Sequence, residues 1–236
     1  MLLKTATIVV LFTTIIVATS MLDWKNISTV LLDMDGTLLD LHFDNYFWQH
    51  HVPLRYAEKN QLHIDDARDI LLPKFKSAEG TMNWYCVDFW SEQLDLDIAQ
   101  LKAEVDHLIA VHPHVVEFLE AVKAAGKHVA LVTNAHQKSL MLKMDRTALH
   151  HHFDDIICAH DFGLPKEEPQ FWDKLNKKMA FDKEQTLLVD DTLSVLRSAR
   201  QYGIKNLLAV LHPDSQSPQR ETEDFQAIKD FRDITP

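Results

Sequence analysis

From Ser28 onward, short apolar runs alternate with stretches of helical period. The runs are residues 29–33 (TVLLD), 128–133 (HVALVT), 155–159 (DIICA), 186–190 (TLLVD) and 206–211 (NLLAVL). Each is apolar on both alternating faces, which predicts strands of a parallel sheet covered on both sides. Between them, apolar residues recur at three- and four-residue spacing over 115–125, 137–149, 170–179 and 193–202. Gly126 and Gly203 stand just past two of these stretches, where a helix stops. Strand and helix in alternation predict an α/β layered sheet with right-handed crossovers.

Residues 41–112 break this rhythm. They keep a helical period, offer no strand pattern, and carry ten of the 21 aromatic residues: Phe43, Tyr46, Phe47, Trp48, Tyr56, Phe75, Trp84, Tyr85, Phe89 and Trp90. The pattern predicts a helical subdomain, 41–112, inserted after the first strand, with 21–40 and 113–236 forming the core. Residues 212–236 mix Pro, Ser and charge. They predict one short helix near 225–231 and a tail that wraps the core surface.

Composition narrows the function classes. A chain of 236 residues with 46% apolar and 25% charged side chains is a soluble globular protein of one large or two modest domains. The net charge of −11 leaves no basic excess to displace the counterions of a nucleic acid, so no nucleic-acid partner is expected. An anionic substrate would need a local cation or aimed backbone N–H groups, because the overall field repels it. Cys86 and Cys158 have no short spacing, so neither a disulfide framework nor a Cys-based zinc site is indicated. A reducing, cytoplasmic compartment fits.

Residues 1–20 (MLLKTATIVVLFTTIIVATS) form an apolar extension, uncharged from Thr5 to Leu22. Three readings compete. The stretch resembles a signal peptide with Ala18-Thr19-Ser20 at its cleavage site, which would make the protein periplasmic or exported. As a membrane anchor, 5–22 is at the lower limit of length for spanning hydrocarbon. The third reading is a misassigned start, with Met21 as the true initiator.

Three strand ends carry reactive groups: Asp33-Met34-Asp35-Gly36-Thr37, Thr133-Asn134, and Asp190-Asp191-Thr192. In an open parallel sheet these ends share one rim, and ligands bind beyond it. An isolated Asp-x-Asp is often only a turn or a helix cap. Here an apolar run precedes Asp33, Gly-Thr follows Asp35, and a second acidic pair closes another strand. Crowded carboxylates call for a cation, and an all-oxygen cluster suits Mg²⁺, which keeps sites open for phosphate oxygens. The clustering points to metal-assisted reaction of a phosphate ester.

At these residues the chain resembles the haloacid dehalogenase-like hydrolase superfamily. TVLLDMDGTLLD resembles its motif I, LVTN ending at Thr133-Asn134 motif II, Lys166 in GLPKEEP motif III, and LLVDDT at 187–192 motif IV. More narrowly, the NWYC, WSEQL and FGLPKE segments resemble the bacterial GMP/IMP 5′-nucleotidases. The resemblance implies a Rossmann-like parallel sheet flanked by helices, with the insertion as a type 1 cap. It implies Asp33 as the nucleophile that forms an aspartyl-phosphate, and Asp35 as the group that protonates the leaving oxygen and later activates water. It implies Mg²⁺ held by Asp33, Asp191 and the Asp35 backbone carbonyl. Asp190 would stand behind, orienting waters or Lys166, although Asp190 and Asp191 could exchange these roles. Thr133, Asn134 and Lys166 would hold the phosphate, and Gly36 would let the backbone approach it closely.

The substrate this implies is a small phosphomonoester, a purine nucleotide such as GMP or IMP. Cap aromatics Phe47, Trp48, Trp84 and Tyr85 are candidates to stack on the base, against the plainer reading of a helix-bundle core. His112, His114, His150–His152 and His160 are metal ligands by type only, and a structural role is expected of them. Residues 220–224 (RETED) read as a solvated face. Two rivals remain: a phosphatase of the same superfamily for a sugar phosphate or flavin mononucleotide, and a non-catalytic binding protein on this fold.

Overall fold

The structure, a computed structural model, describes residues 22–236. The extension 1–20 and the readings attached to it lie outside the described residues. Among the described residues no helix is long and apolar enough to cross a membrane.

Among the described residues, six parallel strands form one sheet: β1 Thr29–Leu32, β2 His128–Thr133, β3 Asp155–Cys158, β4 Thr186–Val189, β5 Asn206–Val210 and β6 Gln226–Ile228. Their order is β3-β2-β1-β4-β5-β6, with β1 central between β2 and β4. Every residue of β1 is buried, as a strand covered on both faces requires. Its side chains alternate between two cores. Val30 and Leu32 face one with Phe118, Val122 and Phe231. Leu31 faces the other with Phe171, Trp172 and Leu196.

Between β1 and β2 the chain is helical: α1 His42–Tyr46, α2 Val52–Asn60, α3 Ile64–Ala78, α4 Met82–Tyr85, α5 Val87–Leu94 and α6 Ile98–Glu104. A π-helical turn, Phe47–His51, joins α1 to α2. The insertion is held by aromatic packing, with the Phe75 ring 5.1 Å from Trp90 and 5.5 Å from Trp48. The crossover helices are α7 Val115–Ala124, α8 Gln137–Thr147, α9 Pro169–Met179 and α10 Leu193–Tyr202. Pro169 opens α9, where a missing N–H costs nothing. Gly203, at φ +105°, closes α10 in the left-handed conformation expected of a glycine stop.

Two expectations are corrected. The strands after which the acids stand end one residue early, at Leu32 and Val189, so Asp33 and Asp190 lie just past the sheet. The helix expected near 225–231 is instead β6, followed by a single 3₁₀ turn, Phe231–Asp233. Phe225, Ile228 and Phe231 are spaced by three and all buried, which mimics a helix face. The open edge of β5 decides otherwise, because an extended segment there gains a backbone ladder, Leu208 to Gln226 through Val210 to Ile228.

Candidate active site

The ends of β1, β2 and β4 bring the acids to one rim. Asp33 leaves β1 with its N–H donating to the Val189 carbonyl at 3.0 Å. Lys166 reaches beneath it from the loop before α9. Its Nζ donates to Asp33 Oδ1 (2.5 Å), Asp190 Oδ2 (2.7 Å) and the Val132 carbonyl (3.0 Å), using all three donors. Its own N–H donates to Asn134 Oδ1 at 2.9 Å. Burial works against the ammonium, but Asp190 and Asp33 outweigh it and hold Lys166 well above the usual lysine range.

Asp190 is fully buried and committed, since its other oxygen accepts from the Thr192 N–H at 2.9 Å. Asp191 turns toward the cleft, where its Oδ2 accepts from Arg220 at 3.1 Å. Burial raises both carboxyls above the ordinary carboxylate value, with Asp33 adding repulsion; Asp191 is pushed up to about 7. One ligand oxygen from each of Asp33, Asp190 and Asp191 lies within 4.8 Å of the others. An all-oxygen set of three carboxylates fits a hard divalent cation such as Mg²⁺.

Gly36 explains how Asp191 fits. At φ +83° a side chain would be strained, and a Cβ would lie 2.6 Å from Asp191 Oδ2 and 3.1 Å from the Pro213 Cβ. The group nearest the missing side chain is thus the Asp191 carboxylate.

The Asp35 carboxylate has a partner of its own. Its Oδ1 accepts from Lys143 Nζ at 2.6 Å, and the same ammonium donates to Asp44 Oδ2 at 2.6 Å. Asp44 also accepts from Lys102 at 2.8 Å. Lys143 and Lys102 are buried, and their ammonium groups lie over the Phe43 ring, 5.2 and 4.9 Å from its centroid. Burial raises Asp35 to about 6, against the pull of Lys143. Burial pushes Asp44 the same way, but Lys102 and Lys143 together hold it below the usual range.

Lys143, on α8, thereby ties the core to α1 of the insertion. None of Lys143, Lys102 and Asp44 was singled out from the sequence. The available signal was lysine on an apolar helix face: Lys143 one turn from Leu140, and Lys102 one turn from Ile98. Residues 220–224 are exposed or half-buried, as a solvated face should be, and Arg220 in addition lines the cleft and pairs with Asp191.

These groups open into a cleft of about 590 Å³ between the rim and the inserted helices. Asp33, Asp35, Thr133, Asn134, Lys166 and Asp191 all line it. Asp190 is not among its lining residues and sits under Lys166. Thr133 Oγ1 accepts from the Ala135 N–H at 3.0 Å. Asn134 Nδ2 donates to Glu167 at 2.9 Å, and Glu167 also accepts from the Tyr85 hydroxyl at 2.6 Å. Of the candidate aromatics, Trp84 and Tyr85 line the cleft, whereas Phe47 is buried in the core and Trp48 packs against it.

Residues 27–203 match the family model of a haloacid dehalogenase-like hydrolase. The chain is 40% identical to the GMP/IMP nucleotidase YrfG of Escherichia coli over 213 residues, 90% of this chain and 96% of that protein. A phosphoglycolate phosphatase of Agrobacterium fabrum is 24% identical over 87% of this chain and 90% of its own. The crystal structure of a HAD phosphatase from Thermococcus onnurineus superposes with a TM-score of 0.74 at 22% identity, covering 88% of this chain and 96% of that one.

Proposed function

This chain belongs to the haloacid dehalogenase-like hydrolases and is a phosphomonoester hydrolase of that family, and we propose that its substrates are purine nucleoside 5′-monophosphates, GMP and IMP. The observation that carries the reading is the Asp33 carboxylate, buried, clamped by Lys166 and lining the cleft with Asp191.

In this reading Asp33 attacks phosphorus in line and carries the phosphoryl group as an aspartyl-phosphate. Lys166 fixes the attacking carboxylate and offsets the charge of the transferring group. Asp35 protonates the leaving 5′-oxygen and then takes a proton from the water that opens the aspartyl-phosphate. Lys143 orients the Asp35 carboxyl for both steps. Thr133 and Asn134 bind phosphate oxygens at the end of β2. Asp33, Asp191 and the Asp35 backbone carbonyl would hold Mg²⁺, with Asp190 behind them. When bound there, the ion would neutralise charge on the phosphoryl oxygens.

The inserted helices, 41–112, serve as the cap that excludes water and reads the leaving group. Trp84 and Tyr85 are its residues in the cleft, and Trp84 offers a face on which a purine stacks. The cytoplasm is the compartment proposed, supported by two free cysteines.

The test is phosphate release from the purified protein across a panel of nucleotides, sugar phosphates and flavin mononucleotide, with Mg²⁺ and with EDTA. We expect GMP and IMP to lead, EDTA to abolish release, and Asp33→Asn to lower it roughly a thousand-fold or more. A panel led by a sugar phosphate would overturn the substrate assignment. Unchanged release in Asp33→Asn would overturn the mechanism.

A further inference from the structure

A second group of potential metal ligands lies outside the acidic rim. Cys86 joins α4 to α5 on the insertion, His136 precedes α8, and His160 sits in the 3₁₀ turn Ala159–Asp161 after β3. The Cys86 sulfur and one ring nitrogen of each histidine lie within 4.8 Å of one another. The two imidazoles meet edge to face, 4.9 Å between centroids.

Each ligand atom is available. His136 accepts the Lys138 N–H on Nδ1 at 3.3 Å, which leaves Nε2 for the cluster. His160 Nε2 is buried with no hydrogen-bond partner among the described residues, a condition that calls for an explanation in a folded protein. Cys86 is a free thiol whose sulfur accepts the Phe89 N–H at 3.4 Å. A fourth group stands close, with Asp88 Oδ2 3.7 Å from His136 Nε2. Burial holds both histidines below their ordinary pKa, which favours the neutral rings a metal needs.

We infer that Cys86, His136 and His160, completed by Asp88, form a transition-metal site selective for Zn²⁺ that clips the inserted helices to the core. One thiolate and two imidazoles are soft to borderline donors, which favour Zn²⁺ and reject Mg²⁺. Tetrahedral zinc, with bonds of about 2.0–2.3 Å, sets its ligand atoms roughly 3.3–3.8 Å apart, a spacing that groups already within 4.8 Å of one another can adopt by small side-chain movements. The Cys86 thiol proton passes to solvent as the metal enters. No second cysteine stands near Cys86 in the chain. The fold supplies two histidines from other elements in its place.

The position gives the site a consequence. Cys86 directly follows Trp84 and Tyr85, which line the cleft, and His136 lies two residues past Asn134. An ion bound here pins α4 against the rim from which the phosphate-binding residues project.

Titration of the full chain with Co²⁺, in Mg²⁺ sufficient to saturate the acidic rim, tests the site without reference to turnover. One equivalent is expected to give a thiolate-to-cobalt charge-transfer band that Zn²⁺ displaces. Cys86→Ser should abolish the band while keeping an acceptor for the Phe89 N–H. His160→Gln should weaken Zn²⁺ binding at least about tenfold, and Cys158→Ala should change nothing. The inference is overturned if the wild type gives no band, or if the band follows Cys158. It is equally overturned if both site variants bind Co²⁺ unchanged, which would place the ion elsewhere, as at His150–His152.

Discussion

At position 36 the backbone turns through φ +83°, and the space a Cβ would take belongs to the Asp191 carboxylate, 2.6 Å away. Alanine there meets two penalties, a left-handed backbone and a displaced buried acid. Gly36→Ala should lose about 1–3 kcal/mol of stability, read by urea unfolding. It should also raise the Mg²⁺ concentration for half-maximal phosphate release roughly tenfold. Lys143 makes a second case. Its ammonium is buried between Asp35 and Asp44, and removing it leaves a carboxylate without its counter-charge. Lys143→Met is expected to cost about 2–4 kcal/mol in the same unfolding assay. The exposed pair of Lys205 with Glu184 supplies the contrast, and Lys205→Met should unfold almost as the wild type does. Equal losses from the two lysines would refute the idea that burial distinguishes them.

Among the elements, legibility followed the kind of interaction that makes each one. β1, β2, β4 and β5 are buried on both faces, so their apolar runs announce them, and the acids after β1 and β4 are placed at the rim by the same runs. The helix face carried by Phe118, Leu119 and Val122 is equally plain. β6 was not legible, because what selects a strand there is the free edge of β5, a partner that local periodicity does not register. Lys143 and Lys102 were missed for a related reason: the carboxylate that makes each tolerable on an apolar face comes from a distant stretch of chain. Arg220 likewise reads as one charge in a charged run until the fold brings Asp191 to it. If β6 is a packed strand rather than a surface wrap, Ile228 belongs to the main core. Ile228→Ala should then destabilise the whole domain by about 2–4 kcal/mol in one cooperative transition. A loss under about 0.5 kcal/mol, the size expected of a surface residue, would argue that the tail merely lies on the sheet.

For the whole molecule, with its net charge of −11, the balance of buried carboxylates sets how stability follows pH. Burial raises Asp35 to about 6 and Asp191 to about 7, from an ordinary 3.8. Between these values the metal-stripped native state binds more protons than the unfolded chain. Its stability therefore falls as pH rises through that window. Asp44 acts in the opposite sense. Lys102 and Lys143 hold it below 3.8, so its contribution is present above that value and is lost as pH falls below it. Together these shifts predict that EDTA-treated protein gains melting temperature as pH drops from about 8 to about 7; below that His112, His136 and His160, which burial holds under the ordinary histidine value, oppose the gain, and melting temperature falls below about 4. A cation bound by Asp33 and Asp191 favours the ionised carboxylates, so saturating Mg²⁺ should flatten or reverse the slope between about pH 7 and 8. Calorimetry with Mg²⁺ and with EDTA reads both curves. A stripped protein most stable at pH 8, or curves that run parallel, would show that the acidic rim neither carries strain nor relieves it by binding metal.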